Sequence, residues 1–220
     1  MKKILLGFIA IGLLTFVGCG TSSSFSSVKI GVQDWMSMNL NVERFRNGDI
    51  IPEAKTKKDW EKAGLEGRPA WCYYDNDISN GEKYGKLYNW HAVSDPRGLT
   101  PEGWHVPTDA EWTVLTDYLA TDGHIGTEGT VLKSTSGWND KRDGTSGNGT
   151  NVYGWNGLPG GGLNGNGSFY GVGSYGSWWS SSLSNASDAW SRNLNYSSDY
   201  VYRNASFSKE NGFSVRCLRD

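Results

Sequence analysis

Between Gly137 and Gly176 the chain shows no helical periodicity, and it contains the run NGLPGGGLNGNGSFYGVGSYG. Glycine at that density constrains the fold more than any other feature. It marks turns with positive φ and places where backbones approach closely, and it disfavours helix. Disorder is the competing reading. Trp138, Tyr153, Trp155, Leu158, Phe169 and Tyr170 are interleaved in the same stretch, and that many apolar rings favour burial. The whole chain repeats the theme, with 30 glycines and 11 tryptophans in 220 residues and only 20% charged residues. This predicts one domain with long ordered loops plus a leader, not a helical bundle. The formal net charge of -2 argues against a nucleic-acid footprint, which needs a basic face.

Residues 1–19 read as an export signal. Lys2 and Lys3 form a positive n-region and Ile4 to Val17 an apolar run too short for a stable membrane span. The segment ends FVGC, which resembles the bacterial lipoprotein signal, in which the cysteine, here Cys19, is lipidated and becomes the mature N-terminus. An ordinary signal peptide with an incidental cysteine is the alternative. Residues 20–27 (GTSSSFSS) read as a flexible tether, and acyl chains on Cys19 would hold the protein at a membrane.

The folded domain is expected over residues 28–220. VKIGVQDW and MNLNVERF read as short strands, Thr56 to Ala63 as a short helix, and Ala70 to Asn80 as a strand entering an Asx-rich turn. Tyr84 to Val93 is dense in aromatics and expected to be buried. The clearest helix is Thr108 to Ala120. Thr108 and Glu111 have capping-box spacing, and Trp112, Leu115 and Leu119 form an apolar stripe. A shorter helix is expected around Gly126 to Ser134. Strands are expected at Ser177 to Ser181, Ala189 to Asn195 and Phe213 to Leu218, with an extended segment from Tyr200 to Phe207.

The tail from Ser177 mixes two vocabularies. Trp178, Trp179, Leu194, Val201, Phe213, Val215 and Cys217 look fixed by folding. Between them lie mostly Asn, Ser, Asp, Tyr and Ala, the composition of an antibody-like contact surface. A polar solvent face on a sheet is the bland alternative. Strand alternation puts Trp190, Arg192, Leu194 and Tyr196 on one face and Ala189, Ser191, Asn193 and Asn195 on the other, with Trp190 and Leu194 expected towards the core.

Together YGKLYNW, GWHVPTDAEW, GWNGLPGG, SYGSWWSSS and GFSVRCLRD resemble the Fibrobacter succinogenes major paralogous domain of exported bacterial lipoproteins. That family is similar to the formylglycine-generating-enzyme branch of the C-type-lectin-like fold. The resemblance implies an α+β domain with a twisted antiparallel sheet, two helices and long ordered loops. It also implies a likeness to the targets of diversity-generating retroelements, which rewrite adenines in a C-terminal variable segment, here about residues 181–212. Asn codons of the AAY type would then become Ser, Asp, Tyr, Ala, Phe or Val codons. Asn185, Ser187 and Asp188 fit that set, as do Tyr196, Ser197, Ser198, Asp199 and Tyr200. So do Tyr202, Asn204, Ala205, Ser206 and Phe207. Trp190, Leu194, Arg216 and Cys217 look like fixed scaffold.

If Cys19 carries lipid, Cys72 and Cys217 remain. An exported domain with two cysteines most simply joins them, which predicts a disulfide worth about 3–5 kcal/mol. Oxidase relatives of this fold use a close cysteine pair near the C-terminal end; here Cys72 lies far from Cys217 in sequence. His91, His105 and His124 lack metal-ligand spacing, and no HExxH, GxSxG or phosphate loop occurs. His91 and His105 each neighbour a tryptophan and read as core or second-layer residues. Asp75, Asn76, Asp77 and Asn80 offer oxygens for calcium but lack EF-hand spacing and read first as an Asx turn. The loop Asn139 to Asp143 is similarly ambiguous. No metal site or cofactor is assigned, and no catalytic residue.

The expectation is a monomeric, lipid-anchored exported protein at the outer membrane or cell surface. It would bind a protein or glycan ligand through the thirteen tail positions and have no catalytic activity. The rivals are an invariant adhesin or carbohydrate binder of the same fold and a formylglycine-generating-type oxidase.

Overall fold

The computed structural model describes residues 25–220. The export segment, Cys19 and residues 20–24 of the tether lie outside the described residues. The first strand, β1 (Ser27–Ile30), turns through Gly31 at φ 59° into β2 (Gln33–Met36). A Cβ on Gly31 would also lie 2.7 Å from the Tyr118 ring, so both turn and packing require glycine there. The expected second strand MNLNVERF is irregular instead, with one bridge from Arg44 to Ile50. Its backbone is tied singly: Leu40 N donates to Val215 O at 2.8 Å, and Val42 N to the Tyr88 hydroxyl at 2.8 Å. Leu40 and Phe45 still reach the core.

Helix α1 (Lys57–Leu65) begins at Thr56, whose hydroxyl accepts from Asp59 N while the Asp59 carboxylate takes Thr56 N, a reciprocal cap. The strand β3 (Trp71–Cys72) follows. The expected turn after it is a short 3-10 turn, Tyr74–Asn76, that leads into a helix missed by the sequence reading, α2 (Ile78–Tyr84). Asp77 caps that helix through Ser79 N, and Asn80 donates to Tyr74 O, so half of the weighed calcium cluster serves the backbone. β4 (Leu87–Asn89) and α3 (Trp90–Val93) bury the aromatic stretch as expected. After β5 (Trp104–His105), α4 (Asp109–Leu119) starts at Thr108 with the predicted capping box to Glu111. α5 (Glu128–Leu132) is the expected shorter helix. The described residues thus hold five α-helices, where the residue patterns gave three and the resemblance implied two.

The Gly-rich stretch is ordered and supplies β6 (Gly160–Leu163) and β7 (Phe169–Val172). β8 (Tyr175–Leu183), β9 (Asp188–Asn195) and β10 (Tyr202–Ser208) form an antiparallel meander. The expected last strand divides into β11 (Gly212–Phe213) and β12 (Leu218–Arg219). One sheet runs β1-β2-β12-β5, so the ends of the domain meet in it. The other runs β10-β9-β8-β6-β11-β4-β3, with β7 on β6 and a parallel contact between β6 and β8.

Ser214 to Cys217 carry the chain from the large sheet to the small one. Arg216 fills the junction: fully buried, it donates to Asn39 Oδ1 at 2.7 Å and to the carbonyls of Met36 and Trp155. Trp35, Trp112, Trp155 and Trp178 meet beside it with neighbouring centroids 4.7–6.3 Å apart. α4 lays Trp112, Leu115 and Leu119 into this cluster, which is the stripe read from the sequence.

The expected disulfide is absent. Cys72 and Cys217 are both free thiols. Cys217 packs in the cluster around Tyr88, Val215 and Phe213, whereas Cys72 packs with Trp60, Tyr74 and Leu87. The two sit in different parts of the core, so the sheet is held by packing and not by a crosslink. Burial pushes both thiols well above their ordinary range and leaves them un-ionised.

Candidate functional site

The meander β8-β9-β10 has two unlike faces. One lies against α4 and the tryptophan cluster through Trp178 and Leu194. Arg192 is also buried on this side, where Nη1 donates to Asp109 Oδ1 at 2.8 Å. Arg203 reaches the same carboxylate at 2.7 Å and lies 3.7 Å over the Trp190 ring. Burial raises the Asp109 pKa, but the hydrogen bonds from Arg203 and Arg192 outweigh it and hold the carboxyl below its ordinary value. Trp190 is therefore a half-buried platform for an arginine and not the core residue expected, while Leu194 is core. The predicted alternation holds, yet Ala189, Ser191 and Asn193 on the other face are buried too.

That other face opens into a cup of about 490 Å³. Tyr170, Tyr175, Tyr202 and Phe207 give its aromatic wall, and Ser177, Asn193 and Asn204 give polar groups. Asn193 is the hub: Nδ2 donates to Ser177 Oγ at 2.7 Å, and Oδ1 accepts from Asn204 Nδ2 at 2.6 Å and from Ser191 Oγ at 3.2 Å. A cup of this size and lining, with an apolar wall and a few fixed polar groups, suits a small ligand or the end of a larger one.

A second concavity of about 500 Å³ shares Tyr175 and Asn195 with the first. Lys141, Arg142, Asp143, Tyr196 and Ser197 complete it. Lys141 pairs with Asp199 at 3.3 Å, and Asp143 accepts from the Thr145 hydroxyl at 2.6 Å. Arg142 is exposed and has no hydrogen bond or ion pair among the described residues. Behind this shelf, Lys133 is almost wholly buried and donates to the carbonyls of Asn195 and Ser198 at 3.2 and 2.9 Å. Burial pushes its pKa down to about 8.

None of the thirteen tail positions is buried. Asn185, Ser187, Ser197, Tyr200, Tyr202 and Ser206 are exposed and the other seven half-buried. The structure does not gather them at one point. Tyr202, Asn204 and Phe207 line the cup, and Tyr196 and Ser197 line the shelf. Asn185, Ser187 and Asp188 form the turn between β8 and β9, where Asn185 Oδ1 accepts from both following backbone amides. Ser198, Asp199 and Tyr200 lie in the β9–β10 loop, clamped by Gly129 N and Thr130 Oγ1 on Asp199 and by Lys133 on Ser198. The Ala205 carbonyl takes the Ser184 hydroxyl. Phe207 also stacks edge-on against the buried Phe213 at 4.9 Å, so this candidate variable position is partly framework.

The sequence reading missed Asn164, Tyr170, Tyr175, Ser177 and Asn193 as cup residues. SFYGVGSYG carries the same Tyr, Ser and Gly vocabulary as the tail, a signal that could have marked it. His105 proves half-exposed, bridging Asp220 at 2.7 Å and Glu111 at 3.0 Å, and His91 is half-buried. Among the described residues no three His, Cys, Asp or Glu side chains converge as a metal site, and no helix is long and apolar enough to cross a membrane.

These features define an α+β domain only in outline; the sequence comparison is sharper. Residues 28–219 match the Fibrobacter succinogenes major domain, and the chain belongs to that family. No curated protein and no solved structure matches the chain.

Proposed function

We propose that this is a lipid-anchored bacterial protein that binds a ligand through its C-terminal face, with a C-type-lectin-like domain as scaffold and retroelement-driven sequence diversity at the face. The observation that carries the reading is that none of the thirteen positions is buried. Most substitutions destabilise by about 1 kcal/mol, so a face can vary at many sites only where its side chains stand outside the core. Here they do, while Trp178, Trp179, Leu194 and Phe213 beneath them are buried. The long ordered Gly-rich loops and the mixed α+β architecture support the lectin-like scaffold. Lipid on Cys19 would place the face outside the cytoplasm.

The test is the nucleotide sequence of the gene's last part and its flanks in sibling isolates. The reading expects a nearby reverse transcriptase, a near-copy of the tail, and changes confined to the first two bases of the thirteen codons. Third-base differences at those codons, or an invariant tail across isolates, would discard diversification. An invariant carbohydrate binder is the second reading, favoured by the tyrosines around the amide-bearing cup. The buried, protonated thiols of Cys72 and Cys217 weigh against cysteine oxidase chemistry, which needs an accessible thiolate.

A further inference from the structure

We infer that the cup and the adjoining shelf together form one extended subsite for a carboxylate-bearing carbohydrate chain, with a pyranose ring in the cup and an acid group on Arg142. The inference rests on the proposed reading of this face as a recognition surface, and it names the ligand class. Three observations carry it.

First, the cup is lined by rings and neutral polar groups, and none of its lining residues is charged. A pyranose has an apolar C–H face and a rim of hydroxyls. Tyrosine walls cover the one, and side-chain amides bond the other. Second, the neighbouring concavity holds an arginine that pairs with no acid there, although Asp143 also lines it. Lys141 is matched by Asp199, and Asp143 is held by Thr145, which leaves Arg142 without a partner. A guanidinium takes a carboxylate through two parallel hydrogen bonds. Third, the two concavities meet at Tyr175 and Asn195, so a chain of linked rings can lie across both.

An acidic peptide shares the charge but fits less well. A peptide would pair most readily with the free edge of β10, the outermost strand of the large sheet. That edge is interrupted by a register shift between Asn204 and Phe207 and carries the charged Arg203, two devices that blunt strand addition.

The subsite also divides its labour. Tyr170, Tyr175, Asn193 and Arg142 lie outside the thirteen candidate variable positions, whereas Tyr202, Asn204 and Phe207 lie within them. The fixed half sets the class of ligand, and the variable half selects among its members.

The experiment measures binding of the purified full chain to polygalacturonate, alginate and hyaluronan. Neutral galactan and polyglutamate are the controls. The inference expects at least one acidic polysaccharide to bind more tightly than galactan and polyglutamate, with affinity falling as salt rises. Arg142→Gln should weaken that binding about tenfold at unchanged melting temperature, since Arg142 supports no other contact. Tyr175→Phe, which keeps the ring, should bind nearly as wild type, and Tyr175→Ala should not. Binding to galactan as strong as to the acidic polymers, preferred binding to polyglutamate, no binding to any acidic polysaccharide, or indifference to Arg142→Gln would each overturn the inference. If diversification is found in the gene while the acidic polymers fail, the ligand class falls and the recognition face stands. If the acidic polymers bind and the gene is invariant, the opposite holds.

Discussion

Asn193 Oδ1 accepts the side-chain amide of Asn204 at 2.6 Å, joining a buried residue of β9 to a candidate variable residue of β10. The bond is one of three on the Asn193 side chain, and the other two, to Ser177 and Ser191, are made inside the scaffold. The hub therefore stays satisfied on its donor side when Asn204 changes.

This gives the first prediction. Asn204→Ala should cost about 1 kcal/mol, the net worth of one hydrogen bond. Tyr200→Ala and Tyr202→Ala should lower the melting temperature by no more than a few degrees, because the two residues are 57% and 44% exposed. Ligand binding should weaken for Tyr202→Ala. Thermal denaturation of the three variants checks this, and a large loss of stability would place these residues in the core.

Asp109 should behave in the opposite way. It is the counter-charge of the buried Arg192 and of Arg203, so Asp109→Asn leaves a guanidinium buried without its partner. The expected loss is about 3 kcal/mol by urea denaturation. The Asp109 carboxyl is held below its unfolded value of 3.8, so its contribution is present above that pH. It fades as the pH falls through the lower folded value. The gap between wild type and Asp109→Asn should therefore close in acid.

Lys133 gives a pH dependence of the other sign. Its ammonium is disfavoured by burial, with a folded pKa of about 8 against 10.5 for the free side chain. Between those values the unfolded chain holds a proton that the folded domain has released, so folding stability rises with pH there. Relative to Lys133→Met, wild type should gain stability from pH 8 to pH 10.5 and carry the full burial penalty below pH 8. Paired denaturant titrations at pH 7, 9 and 10 measure it, and a wild type that loses stability relative to Lys133→Met as pH rises would contradict the buried amine.

The free thiols make the fourth prediction. In a Cys19→Ser background, a chromogenic thiol reagent should label no cysteine in the folded domain and two after denaturation without reductant. A disulfide would leave none in either state.

Much of the frame was legible because it rests on local chemistry. The Thr108–Glu111 cap and the Trp112, Leu115 and Leu119 stripe lie within one helix, so short-range spacing specified them. Asp77 misled for the same reason in reverse. An Asx turn and a helix cap use the same carboxylate-to-amide bond, and the sequence around it does not distinguish them. The cysteine pairing misled because pairing depends on where two distant segments dock. Trp190 misled because alternation tells which residues share a face but not what covers that face; here Arg203 does.

By itself, the chain determined that glycine would make loops, that tryptophans would hold them, and that the polar tail positions would stay out of the core. Hydrophobicity and local hydrogen bonding suffice for that. Only the tertiary structure decided which residues share the cup. Asn204 pairs with Ser191 and Phe207 with Ala189, so Ala205 and Ser206 stand opposite Trp190 alone, and this one-residue bulge turns Phe207, in place of Ser206, towards Tyr202 and Asn204. A bulge follows from how β10 fits its neighbours. No pattern along the strand carries that information, because side-chain direction flips with every residue and one insertion reverses it.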